Sequence, residues 1–69
     1  MKYAEIKIKG MINTDWSDWF NGLQIRHITG DSLLQGAVAD MAAVYGVIDK
    51  LKNLGLEIIS VNVTDAEQP

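Results

Sequence analysis

The side chains that could perform chemistry in this sequence are few, and the first is its single histidine, His27. Imidazole gains and loses a proton near neutral pH, so a general base or a pH-dependent switch would fall to this residue. Strand alternation places His27 on one face with Leu23 and Ile25. A lone histidine on such a face is more often structural or interfacial than catalytic. We therefore assign no catalytic residue and keep His27 as a candidate ligand contact.

Aromatic side chains offer a second kind of chemistry, the stacking of a planar ligand. Trp16, Trp19 and Phe20 follow the helical spacing i, i+3, i+4. Such a stripe can hold a ligand against its rings, and it can equally close the open side of a small core. Tyr45 lies about one step from the apolar stripe of a longer predicted helix, beside Gly46, where a ligand or another backbone can approach closely. The candidate ligand-binding residues are Trp16, Trp19, His27 and Tyr45.

The sequence gives little support for a metal site or a phosphate-binding site. Asp15 and Asp18 stand three apart and could share a proton or a divalent metal, but aspartates at a helix start also stabilise the helix dipole. The chain has no cysteine, which excludes disulfides and thiolate metal sites. Its glycines are scattered, without the spacing of a phosphate-binding loop. We therefore expect no metal site and no cofactor.

Length and charge restrict the function further. A chain of 69 residues forms one domain, and a domain of this size buries only about 60% of the surface that its unfolded form exposes. Since disulfides and thiolate metals are excluded, oligomerisation is the expected source of extra stability. A net charge of -3 and a pI near 4.7 oppose sequence-independent binding to nucleic acid.

Neither a leader nor a membrane span is expected. Residues 1–9 alternate in polarity and lack the apolar core and cleavage site of a signal peptide. The longest apolar run, 42–48, is interrupted by glycine and is far shorter than the roughly 20 residues that cross a bilayer. We therefore expect a cytoplasmic protein without membrane contact.

Periodicity predicts the elements that position these side chains. Residues 3–9 alternate as a half-buried strand, and 13–22 contain a short helix that carries the aromatic residues. Residues 23–29 and 32–35 are typical of two further strands, which a turn at Gly30–Asp31 would join into a hairpin.

A long helix and a last strand complete the predicted chain. Asp40 is a suitable N-cap and Gly55 a suitable left-handed terminator, so these two residues are the expected structural caps. The apolar stripe of the helix is Val44, Val47, Ile48, Leu51 and Leu54. Residues 56–63 form the last strand. We expect a single domain at 1–64 and a flexible C-terminal tail at 65–69.

This order predicts an α+β domain with one four-stranded mixed or antiparallel sheet, one long helix on one face and a short aromatic helix, related to ferredoxin-like folds. The third and fourth strands are joined through the long helix. They should run parallel in a right-handed crossover, with the first strand between them.

The pattern also indicates hydrophobic residues on both faces of the sheet. In the last strand Ile59, Val61 and Val63 alternate with Leu56 and Ile58. One helix covers one face, so the aromatic segment, another subunit, or both should cover the second. A symmetric dimer packed sheet to sheet would satisfy this requirement. The expected interface residues are Leu33, Leu56 and Ile58.

The sequence resembles a group of small, single-domain prokaryotic proteins without established activity. The shared residues are Trp16-x-x-Trp19-Phe20-x-Gly22-Leu23, then Leu34-x-Gly36-x-Val38-x-Asp40-x-Ala42-Ala43-x-x-Gly46, then Leu51-x-x-Leu54-Gly55-Leu56, and Ser60-Val61. Members often carry Gln and Leu where this chain has Met41 and Val44. The helix-to-strand part is also similar to ferredoxin-like regulatory modules that bind metabolites between subunits. The resemblance implies a fold and no function.

Three functions remain open. The first, which we favour over an enzyme, is a non-enzymatic cytoplasmic homo-oligomer, expected to be a dimer, that serves as an interaction or assembly module and has a protein partner. The second is a small-molecule-binding regulatory module with a pocket between subunits near Trp16, Trp19, His27 and Tyr45. The third is a cofactor-independent enzyme that uses His27 as its base.

Overall fold

The computed structural model describes residues 1–65 of the chain. Its elements are β1 Lys2–Ile8, a 3₁₀-helix Thr14–Phe20, β2 Gln24–Ile28, β3 Asp31–Val38, α1 Met41–Asn53 and β4 Ile58–Asp65. The predicted α+β class and order of elements are confirmed. The last strand continues to Asp65, the first residue of the predicted tail, and the rest of that tail, 66–69, lies outside the described residues.

The four strands form one sheet in the order β2-β3-β1-β4, and every neighbouring pair is antiparallel. Because β3 and β4 are both antiparallel to β1, they run parallel to each other on its two sides. The predicted placement of the first strand between them is therefore correct. This is the strand order of ferredoxin-like folds, with a short 3₁₀-helix where the first long helix would stand.

One face of the sheet carries the core. Alternation along β1 turns Ala4, Ile6 and Ile8 inward, and all three are fully buried. The buried residues of α1 are Val44, Val47 and Leu51, as the helical stripe predicts. The remaining buried hydrophobic residues are Ile12, Phe20, Leu23, Ile25, Leu34 and Val38. Leu54, predicted as part of the stripe, is instead exposed, because the helix ends at Asn53.

The ends of α1 are fixed by the local sequence. Asp40 is the N-cap, and the Ala43 amide donates to its Oδ1 at 3.0 Å. At the other end, Gly55 has a φ of 75° and its amide donates to the Lys52 carbonyl at 2.9 Å. The Leu56 amide donates to the Leu51 carbonyl at 3.1 Å, which completes a Schellman motif. The chain thus leaves the helix in the direction of β4.

The register of β4 corrects the predicted division between its faces. A bulge near its start pairs Ile58 with the buried Ile8 and Ser60 with Lys7. Ile58 therefore lies on the same face as α1, and both Leu56 and Ile58 pack against the hydrophobic core. A bulge shifts the alternation by one residue, which strict alternation along the sequence does not anticipate. These two residues belong to the core side of the subunit.

The opposite face of the sheet is mostly polar. On β1 it carries Glu5 and Lys7, which pair with Gln35 and Leu33 of β3. Leu33 lies there half-buried. Of the three predicted interface residues, Leu33 alone lies on the face that α1 leaves open.

The β2–β3 hairpin turns at Thr29–Gly30, one residue before the predicted position, since Ile28 pairs with Asp31. The φ angles of Thr29 and Gly30 are 45° and 83°. Two central residues with positive φ are typical of a type I′ turn, whose twist matches that of the strands. Glycine adopts this conformation without penalty, whereas a β-branched threonine is strained in it.

We expect Thr29→Asn to raise the free energy of unfolding by about 1 kcal/mol, because asparagine tolerates the left-handed conformation better than threonine. Urea unfolding should show a higher midpoint at an unchanged slope. The same replacement at Thr64, an exposed residue of β4, is the control and should give no gain. A lower midpoint for Thr29→Asn would contradict the strained turn.

Candidate functional site

The aromatic segment is held at both ends by local hydrogen bonds. Asn13 is the N-cap of the 3₁₀-helix, and its Oδ1 accepts from the Asp15 amide at 2.8 Å. Asn21 ends the helix with a φ of 59°, and the Gly22 amide donates to the Ser17 carbonyl at 2.9 Å. Asn13 and Asn21 therefore fix the two ends of this short segment.

The 3₁₀ geometry divides the aromatic stripe into two parts. With three residues per turn, positions i and i+3 lie one above the other, so Trp16 and Trp19 share one side of the helix. Their ring centroids are 6.3 Å apart in an edge-to-face arrangement. Phe20 is turned away from that side and is fully buried in the core. Phe20 is thus the plug of the core, while Trp16 and Trp19 remain 40% and 47% exposed.

The two tryptophans and Leu54 line a shallow depression of about 280 Å³. Leu54 follows the last residue of α1 and is 40% exposed. Together the three side chains form a continuous apolar surface, which we call the aromatic patch. The patch joins the end of α1 to the 3₁₀-helix.

Lys50 ties these two elements together. Its Nζ donates a hydrogen bond of 2.7 Å to the Trp19 carbonyl oxygen. The same Nζ lies 5.6 Å from the centroid of the Trp19 ring, within cation–π distance. The Trp19 ring also packs against Phe20, with centroids 5.2 Å apart. Trp19 is therefore oriented from both sides, which makes the aromatic patch a preformed surface.

His27 serves another part of the molecule. Its Nε2–H donates to the Ile12 carbonyl oxygen at 2.6 Å, since a carbonyl oxygen can only accept. The bond attaches the β1-to-helix loop to β2. His27 does not line the depression, and its hydrogen bond is of the structural kind that a lone strand histidine commonly makes.

Ser32 completes the anchoring of this loop. It is fully buried, and its Oγ accepts from the Ile12 amide at 3.0 Å and donates to the Gly10 carbonyl at 2.8 Å. Asp31 Oδ1 accepts from the Gly10 amide at 3.0 Å. The loop that leads into the aromatic segment is thus held by side chains of β2 and β3. Sequence reasoning missed Ser32, although a serine at an inward position of an apolar strand indicates a buried hydrogen bond.

The structure brings together only part of the predicted ligand-binding set. Trp16 and Trp19 share the aromatic patch. Tyr45 is 60% exposed on α1 and, like His27, lies outside the lining of the depression. Leu54 and Lys50 were missed at this site because the helical pattern places Leu54 in the core and Lys50 in a solvated last turn.

The lining of the depression, Trp16, Trp19 and Leu54, includes no ionisable side chain. Among the described residues, no cluster of three or more histidine, cysteine, aspartate or glutamate side chains is placed to hold a metal ion. Lys2 Nζ donates a hydrogen bond of 2.6 Å to Asp65 Oδ1 at the exposed end of β4. This hydrogen bond and the lysine charge lower the pKa of Asp65.

Within residues 1–65, no helix is both long and apolar enough to pass through a bilayer.

Comparison with known protein families assigns the chain to one of them. A family described as Domain of unknown function (DUF8691) matches residues 3–62. The chain belongs to the DUF8691 family. The match runs from β1 into β4 and so includes the 3₁₀-helix, α1 and the whole aromatic patch. No curated protein and no solved structure matches the chain. The DUF8691 assignment agrees with the resemblance read from the sequence, and its description carries no activity.

Replacing Ser32 with alanine should lower the free energy of unfolding by about 1–3 kcal/mol, because the Ile12 amide and the Gly10 carbonyl lose their buried partner. Hydrogen exchange should show lost protection at the Ile12 amide. Ser60→Ala on exposed β4 is the matched control, expected to stay within about 0.5 kcal/mol of the parent. Equal stability of the two variants would mean that the loop does not depend on Ser32.

Proposed function

We propose that this DUF8691 protein is a non-enzymatic, cytoplasmic interaction module that works as a homo-oligomer and presents the aromatic patch to a protein partner. The observation that carries the proposal is the exposure of Trp16 and Trp19, at 40% and 47%, above a core that Phe20 already fills. The core is therefore filled without the rings of Trp16 and Trp19, and packing of the core does not explain why these two residues are tryptophans. Tryptophan is among the residues most enriched at the energetic centres of protein interfaces.

The size of the depression favours a protein partner. Most small-molecule pockets measure about 300–1,000 Å³ and enclose their ligand, whereas this depression is shallow and holds about 280 Å³. Its lining residues, Trp16, Trp19 and Leu54, are apolar apart from the indole N–H groups. Such a surface suits one large apolar side chain projecting from a partner.

Self-association is the second part of the proposal. A single domain of 69 residues has a small core, and a second copy is a ready source of additional buried surface. The sheet face opposite α1 is mostly polar and includes the half-buried Leu33. Since Leu56 and Ile58 pack within the subunit, Leu33 is the one residue of the predicted interface set that lies on the open face.

The aromatic patch can be tested by selecting displayed peptides on the protein. Selected peptides should carry a large apolar residue, and Trp19→Ser should weaken their binding about thirtyfold, the effect of losing an interface hot spot of about 2 kcal/mol. Tyr45→Ser is the matched control, since Tyr45 is an exposed aromatic residue outside the depression. The Tyr45→Ser variant should bind the selected peptides as tightly as the parent protein. Equal losses for the two variants, or selected peptides without apolar residues, would contradict the assignment.

A small ligand at the same patch is the alternative function. It is favoured by Lys50, whose ammonium group lies 5.6 Å from the Trp19 ring centroid and offers a cation to a planar anionic compound. Titration with aromatic carboxylates, followed by tryptophan fluorescence, distinguishes the two. A saturable change that Lys50→Gln abolishes would support the ligand, whereas constant emission would support the protein partner.

A further inference from the structure

The sheet has two edge strands of different character, β2 and β4. β4 is eight residues long, against five for β2. An edge strand presents unpaired backbone amide and carbonyl groups to solvent, and such a row can pair with another chain. The longer edge is therefore a potential interaction surface of the backbone itself.

Composition distinguishes the two edges. From Ile58 to Thr64, β4 has no ionisable side chain and is rich in β-branched residues. Ile59 and Val61 are 47% and 40% exposed. β2 carries the exposed cation Arg26 at its centre, and the 3₁₀-helix packs against it. Edge charges and covering segments are devices that prevent pairing, and among the described residues, 1–65, β4 has neither along this run.

The geometry of β4 defines a symmetric register. The bulge at Ile59 interrupts regular pairing near one end, and the strand ends at Asp65. The uninterrupted segment Ser60–Thr64 has its centre at Asn62. We infer that β4 pairs antiparallel with β4 of a second copy around a two-fold axis at Asn62. This inference deepens the proposed function, because it rests on self-association and names its surface.

The side chains agree with this register. Val61 would stand opposite Val63 of the second copy, and Ser60 opposite its Thr64. Each pair therefore joins residues of like polarity, and pairing would cover the exposed side of Val61. Because the axis is perpendicular to the sheet, the helix of each copy stays on the same face as the helix of the other.

The charges along this register do not oppose a second copy as the occupant. Two copies with a net charge of -3 each repel each other in general. A contact strand without charged side chains adds no further repulsion at the interface. Asp65 would face Ile59 of the second copy, and its carboxylate is already paired with Lys2 at 2.6 Å. No like charges stand opposite each other along the pairing. An unrelated peptide could bind the same edge, but it would not be matched to this two-fold register.

The product would be a closed dimer. Two four-stranded sheets joined at β4 form one sheet of eight strands with a β2 at each outer edge. Arg26 and the 3₁₀-helix at those outer edges oppose further addition. A dimer and not a filament is therefore expected.

Engineered disulfides test the register directly, because the chain has no cysteine of its own. In Asn62→Cys, the two thiols would lie opposite each other at a Cα separation compatible with a disulfide. Mild oxidation at micromolar protein concentration should convert most of this variant to a covalent dimer. The control is Gln24→Cys on the exposed β2 edge, of which less than a tenth should be converted in the same time. Equal rates for the two variants would overturn the register.

Mass measurements separate this inference from the proposed function. Light scattering should show a dimer for the parent chain. Val61→Lys should raise the dimer dissociation constant at least tenfold, while the control Gln24→Lys leaves it unchanged. A dimer that survives Val61→Lys and does not cross-link at position 62 would overturn the β4 register and leave self-association standing. A monomer at every concentration would overturn both. If Val61→Lys unfolds, the cross-linking result decides.

Discussion

The fold depends on β1, which carries a backbone ladder on each side and stands between β3 and β4, the two strands that α1 joins. Its inward residues Ala4, Ile6 and Ile8 are fully buried between β3 and β4. Because β1 lies between β3 and β4, α1 must cross over it to connect those two strands, and the apolar side of the helix is buried in the crossing. The Asp40 cap and the turn at Gly55 set where that crossing starts and ends. A polar replacement at Ile6 would therefore disturb the helix layer and both ladders together.

The second constraint is the short aromatic segment, which takes the place of a longer helix over the β2 side of the sheet. A 3₁₀-helix of seven residues can bury only part of its side chains. Phe20 enters the core, and the three-residue turn leaves Trp16 and Trp19 on the outer side. Lys50 then fixes Trp19 by hydrogen bonding to its carbonyl. The patch is thus a direct consequence of how this segment covers the sheet.

Much of this architecture follows from local sequence signals. Alternation in β1, the Asp40 cap and Gly55 after the helix each act through neighbouring residues, so the sequence predicts them. The errors arise where distant contacts or backbone irregularities decide. The bulge in β4 moves Ile58 to the helix face, and the end of α1 exposes Leu54. His27 was identified as a polar residue on an apolar strand and Ser32 was not, and the partners of both, Ile12 and Gly10, are brought to them only by the fold.

The two proposed surfaces rest on different elements of the fold. The 3₁₀-helix that carries Trp16 and Trp19 packs against β2, whereas β4 forms the other edge. Pairing through β4 would therefore leave Trp16 and Trp19 of both copies exposed and hold the two pairs at a fixed spacing on one sheet. Two identical sites on a rigid dimer bind a partner with two matching segments more tightly than either site alone, provided that the spacing fits. Self-association would then set the spacing of the recognition sites as well as stabilise a small domain.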